Sequence, residues 1–243
     1  MPPRFFVDQP LIAPGELSLP PSAARHVQVL RLQPGSAVTL FDGSGDEWQA
    51  KVLAIGRSEV RVHLAARQTV RRELGQDLTL ALAMPANDRM DSLVEKATEL
   101  GVACIQPLMS ERSVLRLSAE RAQKKVAHWR GVATAACEQS GRTRIPHINA
   151  VQDLASWLQS LGSVSADQRR WLLSPGAARP LHELALRPAA QTLVLSGPEG
   201  GFSATEEVAA RTQGFEAASL GPRILRADTA PLAVLAYLTL IDS

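Results

Sequence analysis

Two stretches near the C-terminus hold residue types that chemistry needs. "VLSGPEGGFSATE", residues 194–206, passes from an apolar run into a glycine-rich loop and then into a helix-start signal. "LGPRILRADTA", residues 220–230, follows a short strand in the same way and leads into another helix. Glycine lets a backbone approach a ligand closely, and the loop after a buried strand is where open parallel sheets bind ligands. The first loop lacks the Lys-Ser/Thr of a P-loop and the G-x-G-x-x-G of a dinucleotide fold. It carries Glu199, a carboxylate that would repel a phosphate. A neutral or cationic ligand suits it better, and S-adenosylmethionine, with a sulfonium, an ammonium, an adenine and no phosphate, is such a ligand. The other reading is a tight turn that needs glycine, with Glu199 exposed or serving the helix N-terminus.

The remaining reactive side chains narrow the classes. Cys104 and Cys137 are the two cysteines, too few for a disulfide framework or a cysteine zinc site, and each sits in an apolar setting. The five histidines have no H-x-x-x-H or H-E-x-x-H spacing, so no metal is expected. Net charge is only +2, but residues 112–144 carry eight Lys/Arg against Glu120 and Glu138. Such a local excess attracts a polyanion, but as a bare charge run it reads first as a solvated helix face. Trp48 and Trp129 can stack on bases or fill a core.

These residues need a scaffold. The 243-residue chain, 45% hydrophobic and 21% charged, has ordinary globular composition and can bury a core. No apolar run approaches the ~18 residues of a membrane span, and "MPPRFFVDQPL" lacks a signal segment, so a cytoplasmic protein is expected. Residues 1–65 read as β-rich, with turn chemistry at Asp42-Gly43 and Gly45 and one helix at 22–30 capped by Ser22, a small β-barrel with an inserted helix. Residues 67–77 are polar and read as a linker. "DLTLALAMP", "NDRMDSLVEKATELG" and "VACIQPL" then form a β-α-β unit, which implies a parallel sheet. Asn87 or Asp88 can cap its helix and Gly101 can close it. A long helix is expected from Ser118 to about Cys137, weaker ones at 151–161 and 180–186, and strands at "RWLLS", "TLVLSG" and "AASLG". Ser203 and Glu206 make a capping box. "PLAVLAYLTLI" is a terminal helix apolar on nearly every side, so it is buried or docked on another subunit.

"GPEGGFS" followed by "LGPRILRADTA" strongly resembles the RsmE family, the 16S rRNA uridine N3 methyltransferases of the SPOUT class. "KATELGV" at 96–102, "CEQSGR" at 137–142, "RFFV" and "HVQVLR" match in the same order, so the resemblance covers essentially the whole chain. It implies an α/β fold with a SPOUT-type parallel sheet and a C-terminal trefoil knot at 71–243, preceded by a PUA-like β-barrel that binds RNA at 1–70. By motif match, Leu195, Gly197, Glu199, Gly200, Leu220, Gly221, Ile224, Leu225 and Arg226 surround S-adenosylmethionine. The family's "RxETA" glutamate is Asp228 here, one methylene shorter.

Methyl transfer to uridine N3 needs alignment and stabilisation of the charge left on the ring oxygens when the N3 proton departs. Arg226 is the first candidate for that task. Arg142 is the second, or holds phosphate, and Glu138 can orient Arg142 or accept a proton. His26, within "HVQVLR", can touch RNA; the other histidines read as structural, and solvent can take the proton. The partners implied are the small ribosomal subunit's 16S rRNA, held by the barrel and by 112–144, and a second copy in a homodimer. The competing readings are a nucleotide-phosphate enzyme, a non-catalytic RNA-binding assembly module, and a SPOUT enzyme acting on another base or on a ribose 2'-OH.

Overall fold

The computed structural model describes residues 2–57, 59–85, 87–186 and 189–241, the side chains of Asn87 and Asp88 excepted. The proposed cap by one of these two therefore lies outside the described residues. The chain divides into two compact units: Met1–Glu73 with Thr134–Ile145, and Leu74–Ala133 with Pro146–Ser243. The expected boundary at 70 and 71 lies close to the first break. The return of 134–145 to the first unit has no counterpart in the sequence reading.

The first unit holds β1 (Arg4–Phe6), β2 (Gly15–Ser18), α1 (Pro21–Val29), β3 (Ala37–Phe41), β4 (Asp46–Ile55) and β5 (Val60–Thr69). They form one ladder in the order β1-β3-β4-β5-β2, and among the described residues no pairing between β1 and β2 closes it. Alternation along β4 and β5 turns Trp48, Val52, Val60 and Val62 into a core with Phe5 and Val27. Helix α1 starts at Pro21, after Pro20, with no side-chain cap; proline's fixed φ does the work expected of Ser22. Strand β5 continues to Thr69, into the stretch expected to be linker. The short β2 was not anticipated: four residues with one glycine give little periodic signal.

Buried ions tie the first unit together. The Glu47 carboxylate accepts from Arg4 and, at 2.8 Å, from Arg72. Burial alone would raise the Glu47 carboxyl, but the bonds from Arg72 and Arg4 outweigh it and hold it below its ordinary value of 4.5. A lowered folded value means that Glu47 contributes stability present above about pH 4.5 and lost as the pH falls through the folded value. Glu47→Gln is therefore expected to lower stability at neutral pH and to make the acid limb of the unfolding profile shallower. A limb as steep as in the parent chain would contradict this role.

The second unit begins with the anticipated β-α-β: β6 (Asp77–Ala83), α2 (Asn87–Glu99) and β7 (Cys104–Met109). There follow α3 (Ala119–Ser140), whose residues from Thr134 on belong to the first unit, β8 (His147–Ile148), β9 (Gln152–Asp153), α4 (Leu154–Ser160), β10 (Gln168–Leu173) and α5 (Leu181–Leu184). β11 (Gln191–Ser196), α6 (Ala204–Thr212), β12 (Glu216–Ala218) and α7 (Thr229–Ile241) complete it. The sheet runs β12-β10-β11-β6-β7-β8, with β9 also on β7, and every pairing in it is parallel. β11 is buried along five of its six residues because strands flank it and helices cover its faces. Gly101, at φ +92°, ends α2 as the sequence predicts. Helix α3 runs three residues past the expected Cys137. Helix α7 packs on α2 and β11 and buries Val234, Leu235 and Leu238, leaving Leu240 and Ile241 exposed. Among the described residues, no helix is long and apolar enough to cross a membrane.

Candidate active site

The parallel sheet directs the C-terminal ends of β10, β11 and β12 to one side, and the loops leaving them enclose a cavity of about 320 Å³. That lies within the range of small-molecule sites. Leu173, Phe202, Leu220 and Leu225 make it largely apolar, while Arg89, Glu199, Arg223 and Arg226 bring charge to it.

Local sequence shapes both glycine loops. After β11, Gly201 takes φ +67° and its amide donates to the Pro198 carbonyl at 2.9 Å. A Cβ on Gly197 would lie 3.3 Å from the Phe202 ring, so a side chain there would push the ring aside. The capping box then starts α6: Ser203 Oγ accepts from the Glu206 amide at 3.2 Å, and Glu206 accepts from the Ser203 amide at 2.8 Å. In the second loop Gly221 takes φ +101°, a conformation other residues resist. The Arg226 carbonyl accepts from the amides of Thr229 and Ala230, both at 3.0 Å, and so opens α7 with its backbone while its side chain stays exposed. One carboxylate oxygen of Asp228, Oδ1, is buried without a hydrogen-bond partner among the described residues.

The cavity's charge differs from the sequence picture. Arg89 Nη1 donates to Glu199 Oε1 at 3.1 Å, which offsets the carboxylate expected to exclude phosphate. Three arginines, 89, 223 and 226, and two glutamates, 199 and 207, belong to the lining. Glu199 alone therefore does not reject an anion. What the site offers is an apolar floor, close backbone and both signs of charge at the rim, which fits an adenosyl group attached to a zwitterionic amino acid.

Of the residues expected around a ligand, Gly197, Glu199, Leu220, Gly221, Ile224, Leu225 and Arg226 line the cavity. Ile224 is 85% exposed. Leu195 does not line it: its side chain, 1% exposed, lies in the core of the sheet. Gly200 is also outside the lining and sits against Arg112, whose Cβ would be 3.4 Å from a Cβ added there. Sequence reasoning missed Leu173 at the end of β10, Ser174 and Pro175 after it, and Arg89 near the start of α2. The "LLSPG" run after a strand was the available signal, but it points to a site only once β10 is known to lie beside β11.

Glu138 and Arg142 belong to the first unit and are absent from the cavity lining. Arg142 is 4% exposed, and its Nε donates to Glu73 at 3.0 Å. Glu73 also accepts the Thr143 and Arg144 amides, each at 3.2 Å, so this arginine organises the segment after α3. Glu138 accepts the Phe6 amide at 2.9 Å and faces His26 Nδ1 at 3.2 Å. Burial raises the Glu138 carboxyl, with the Phe6 amide and His26 offsetting part of the rise. Both side chains are thus engaged in holding the first unit together.

The basic stretch is also partly spent internally. Arg112 and Arg130 donate to backbone carbonyls, and Arg142 is buried with Glu73. Trp48 and Trp129 are core residues; the Trp129 indole donates to Asp91 at 2.8 Å. Burial pushes the Cys137 thiol up to about 12 and raises that of Cys104, which makes both poor nucleophiles. Among the described residues, no group of three His, Cys, Asp or Glu side chains is placed to hold a metal ion.

Residues 72–239 match the model of an RNA methyltransferase domain, and residues 19–64 match that of an RNA methyltransferase PUA domain. Ribosomal RNA small subunit methyltransferase E from a Synechocystis strain is 33% identical over 97% of this chain and 76% of its own length. The Bacillus subtilis protein of the same name is 27% identical over 97% of this chain and 95% of its own. Among solved structures, the Neisseria gonorrhoeae ribosomal RNA small subunit methyltransferase E bound to S-adenosyl methionine superposes with a TM-score of 0.91 at 33% identity. That superposition covers 99% of this chain and 98% of the other. A Legionella pneumophila protein solved with bound SAM gives 0.92 at 32% identity, with the same coverage.

Proposed function

We propose, because this chain belongs to the ribosomal RNA small subunit methyltransferase E family, that it methylates N3 of a uridine in 16S ribosomal RNA with S-adenosylmethionine as donor. The observation that carries this reading is the cavity between two glycine loops at the C-terminal ends of β10, β11 and β12, in a chain matching an RNA methyltransferase domain over 72–239. When bound, S-adenosylmethionine supplies an electrophilic methyl carbon on a sulfonium.

The residues of the chain do the rest. Leu173, Phe202, Leu220 and Leu225 offer an apolar surface to a purine, and the loops around Gly197 and Gly221 let backbone groups reach it. Arg89 and Glu199 hold opposite charges for an amino-acid carboxylate and ammonium. Arg226, exposed at the cavity and carrying five N–H donors, faces the negative charge that spreads over the uracil oxygens as the N3 proton leaves. The methyl carbon would pass from the donor's sulfur to N3, with the N3 proton released to solvent. Glu138 and Arg142, first considered for catalysis, are assigned to holding the first unit.

The reading extends to the fold and the assembly. A trefoil knot in the C-terminal part is supported by the family motifs. A homodimer is supported by the exposed apolar end of α7. A ribosomal RNA substrate supports a cytoplasmic location, with the PUA domain and the exposed basic side chains of 116–144 contacting RNA phosphates.

Nucleoside mass spectrometry of 16S rRNA from a deletion strain tests the proposal. Loss of N3-methyluridine, restored by the intact gene, is expected. An unchanged level, with another methylated base or a 2'-O-methyl group lost instead, would refute the assignment of the target atom.

A further inference from the structure

The sequence groups Arg112 with the basic side chains that meet RNA. Its contacts, all within the second unit, point elsewhere. Arg112 Nη1 donates to the Gly200 carbonyl at 3.0 Å and to the Phe202 carbonyl at 3.3 Å, both in the glycine loop that walls the cavity. The two segments also pack together: a Cβ added at Gly200 would lie 3.4 Å from Arg112 Cβ, an ordinary contact distance.

The turn that carries Arg112 is itself locked. Ser110 and Ser113 are buried, their hydroxyls 2.8 Å apart, and Ser113 Oγ accepts the Ser110 amide at 3.0 Å. The neighbouring Glu111 amide donates to Glu206 Oε1 at 2.8 Å, while Glu206 Oε2 holds the Ser203 amide at 2.8 Å. A rigid turn after β7 is thus fastened to the glycine loop at three points: Gly200, Phe202 and, through Glu206, Ser203. Planar guanidinium geometry suits the spanning of two carbonyls, which a lysine ammonium does less well.

We propose that Arg112 is a positioning residue for the cofactor: it fixes the shape of loop 197–203 and so the wall that receives the donor. This rests on the S-adenosylmethionine reading of the cavity. Because the link is made to backbone, no side chain of the loop reveals it.

The test uses the full-length chain and its R112A and R112K variants. Calorimetric titration with S-adenosylmethionine is expected to show about a tenfold weaker Kd in R112A, the loss of roughly two modest hydrogen bonds. R112K is expected to recover only part of it. The steady-state KM for the donor should rise while kcat at saturating donor and the KM for RNA hold. Affinity for a 16S rRNA fragment, measured across salt concentrations, should keep its slope; a lost phosphate contact would reduce that slope by about one. Unchanged donor affinity in R112A, or a reduced RNA salt slope, overturns the proposal. Failure of the unaltered chain to bind S-adenosylmethionine would instead remove the reading beneath it.

Discussion

Replacing Arg226 by alanine is expected to lower the kcat of RNA methylation by roughly 10²–10³-fold, the usual consequence of removing one donor aimed at developing negative charge. The fold should survive the change. The helix-opening bonds at this position come from the Arg226 carbonyl, which alanine keeps, and the side chain projects from an exposed loop position. Donor binding should therefore hold in calorimetry while single-turnover methylation collapses. R226K should restore part of the rate, since it returns the charge but not the planar fork. An R226A enzyme with parental kcat would remove Arg226 from the chemistry and leave stabilisation of the uracil oxygens to another group.

Arg142→Ala is expected to act in the opposite way. Removing one partner of a fully buried ion pair costs about 3–5 kcal/mol; the Glu73 side chain is 20% exposed, which places the loss here towards the low end of that range. Here the stranded group is Glu73, which also anchors the Thr143 and Arg144 amides. The denaturant midpoint of the first unit should fall steeply, and the double variant with Glu73→Ala should lose less than the two single losses added together. Donor affinity, set in the second unit, should follow the folded fraction. If R142A were fully stable yet inactive, Arg142 would act on substrate, as its place in the "CEQSGR" motif first suggested.

Local signals carried much of the fold. The β6-α2-β7 unit, the capping box at Ser203 and Glu206, and the close of α2 at Gly101 depend on residues a few positions apart, so the sequence displays them directly. The same holds for the two glycine loops, whose φ values of +67° at Gly201 and +101° at Gly221 are what glycine permits. Where the expectation slipped, one competing effect was local and one was not: Pro20 and Pro21 start α1 without help from Ser22, whereas the polar tail of β5 is strand because it pairs with β4, Asp46 opposite Thr69.

The partners of the charged residues were not legible. Arg112, Arg130 and Arg142 all read as members of one basic stretch, yet each is held by a different backbone or side-chain partner. Arg112 meets a loop 88 residues away and Arg142 meets Glu73 across 69 residues. Likewise Leu173–Pro175 joins the cavity because sheet order sets β10 between β11 and β12. By itself the sequence determined the alternation of strands and helices, the two loops able to approach a ligand, and, through its motifs, the family. Only the tertiary structure decided which side chains of those loops face the cavity and which arginines remain free for RNA. Periodicity, caps and glycine conformations are short-range properties of the backbone, whereas the partner of a charge is chosen by whatever the fold brings within about 3 Å of it.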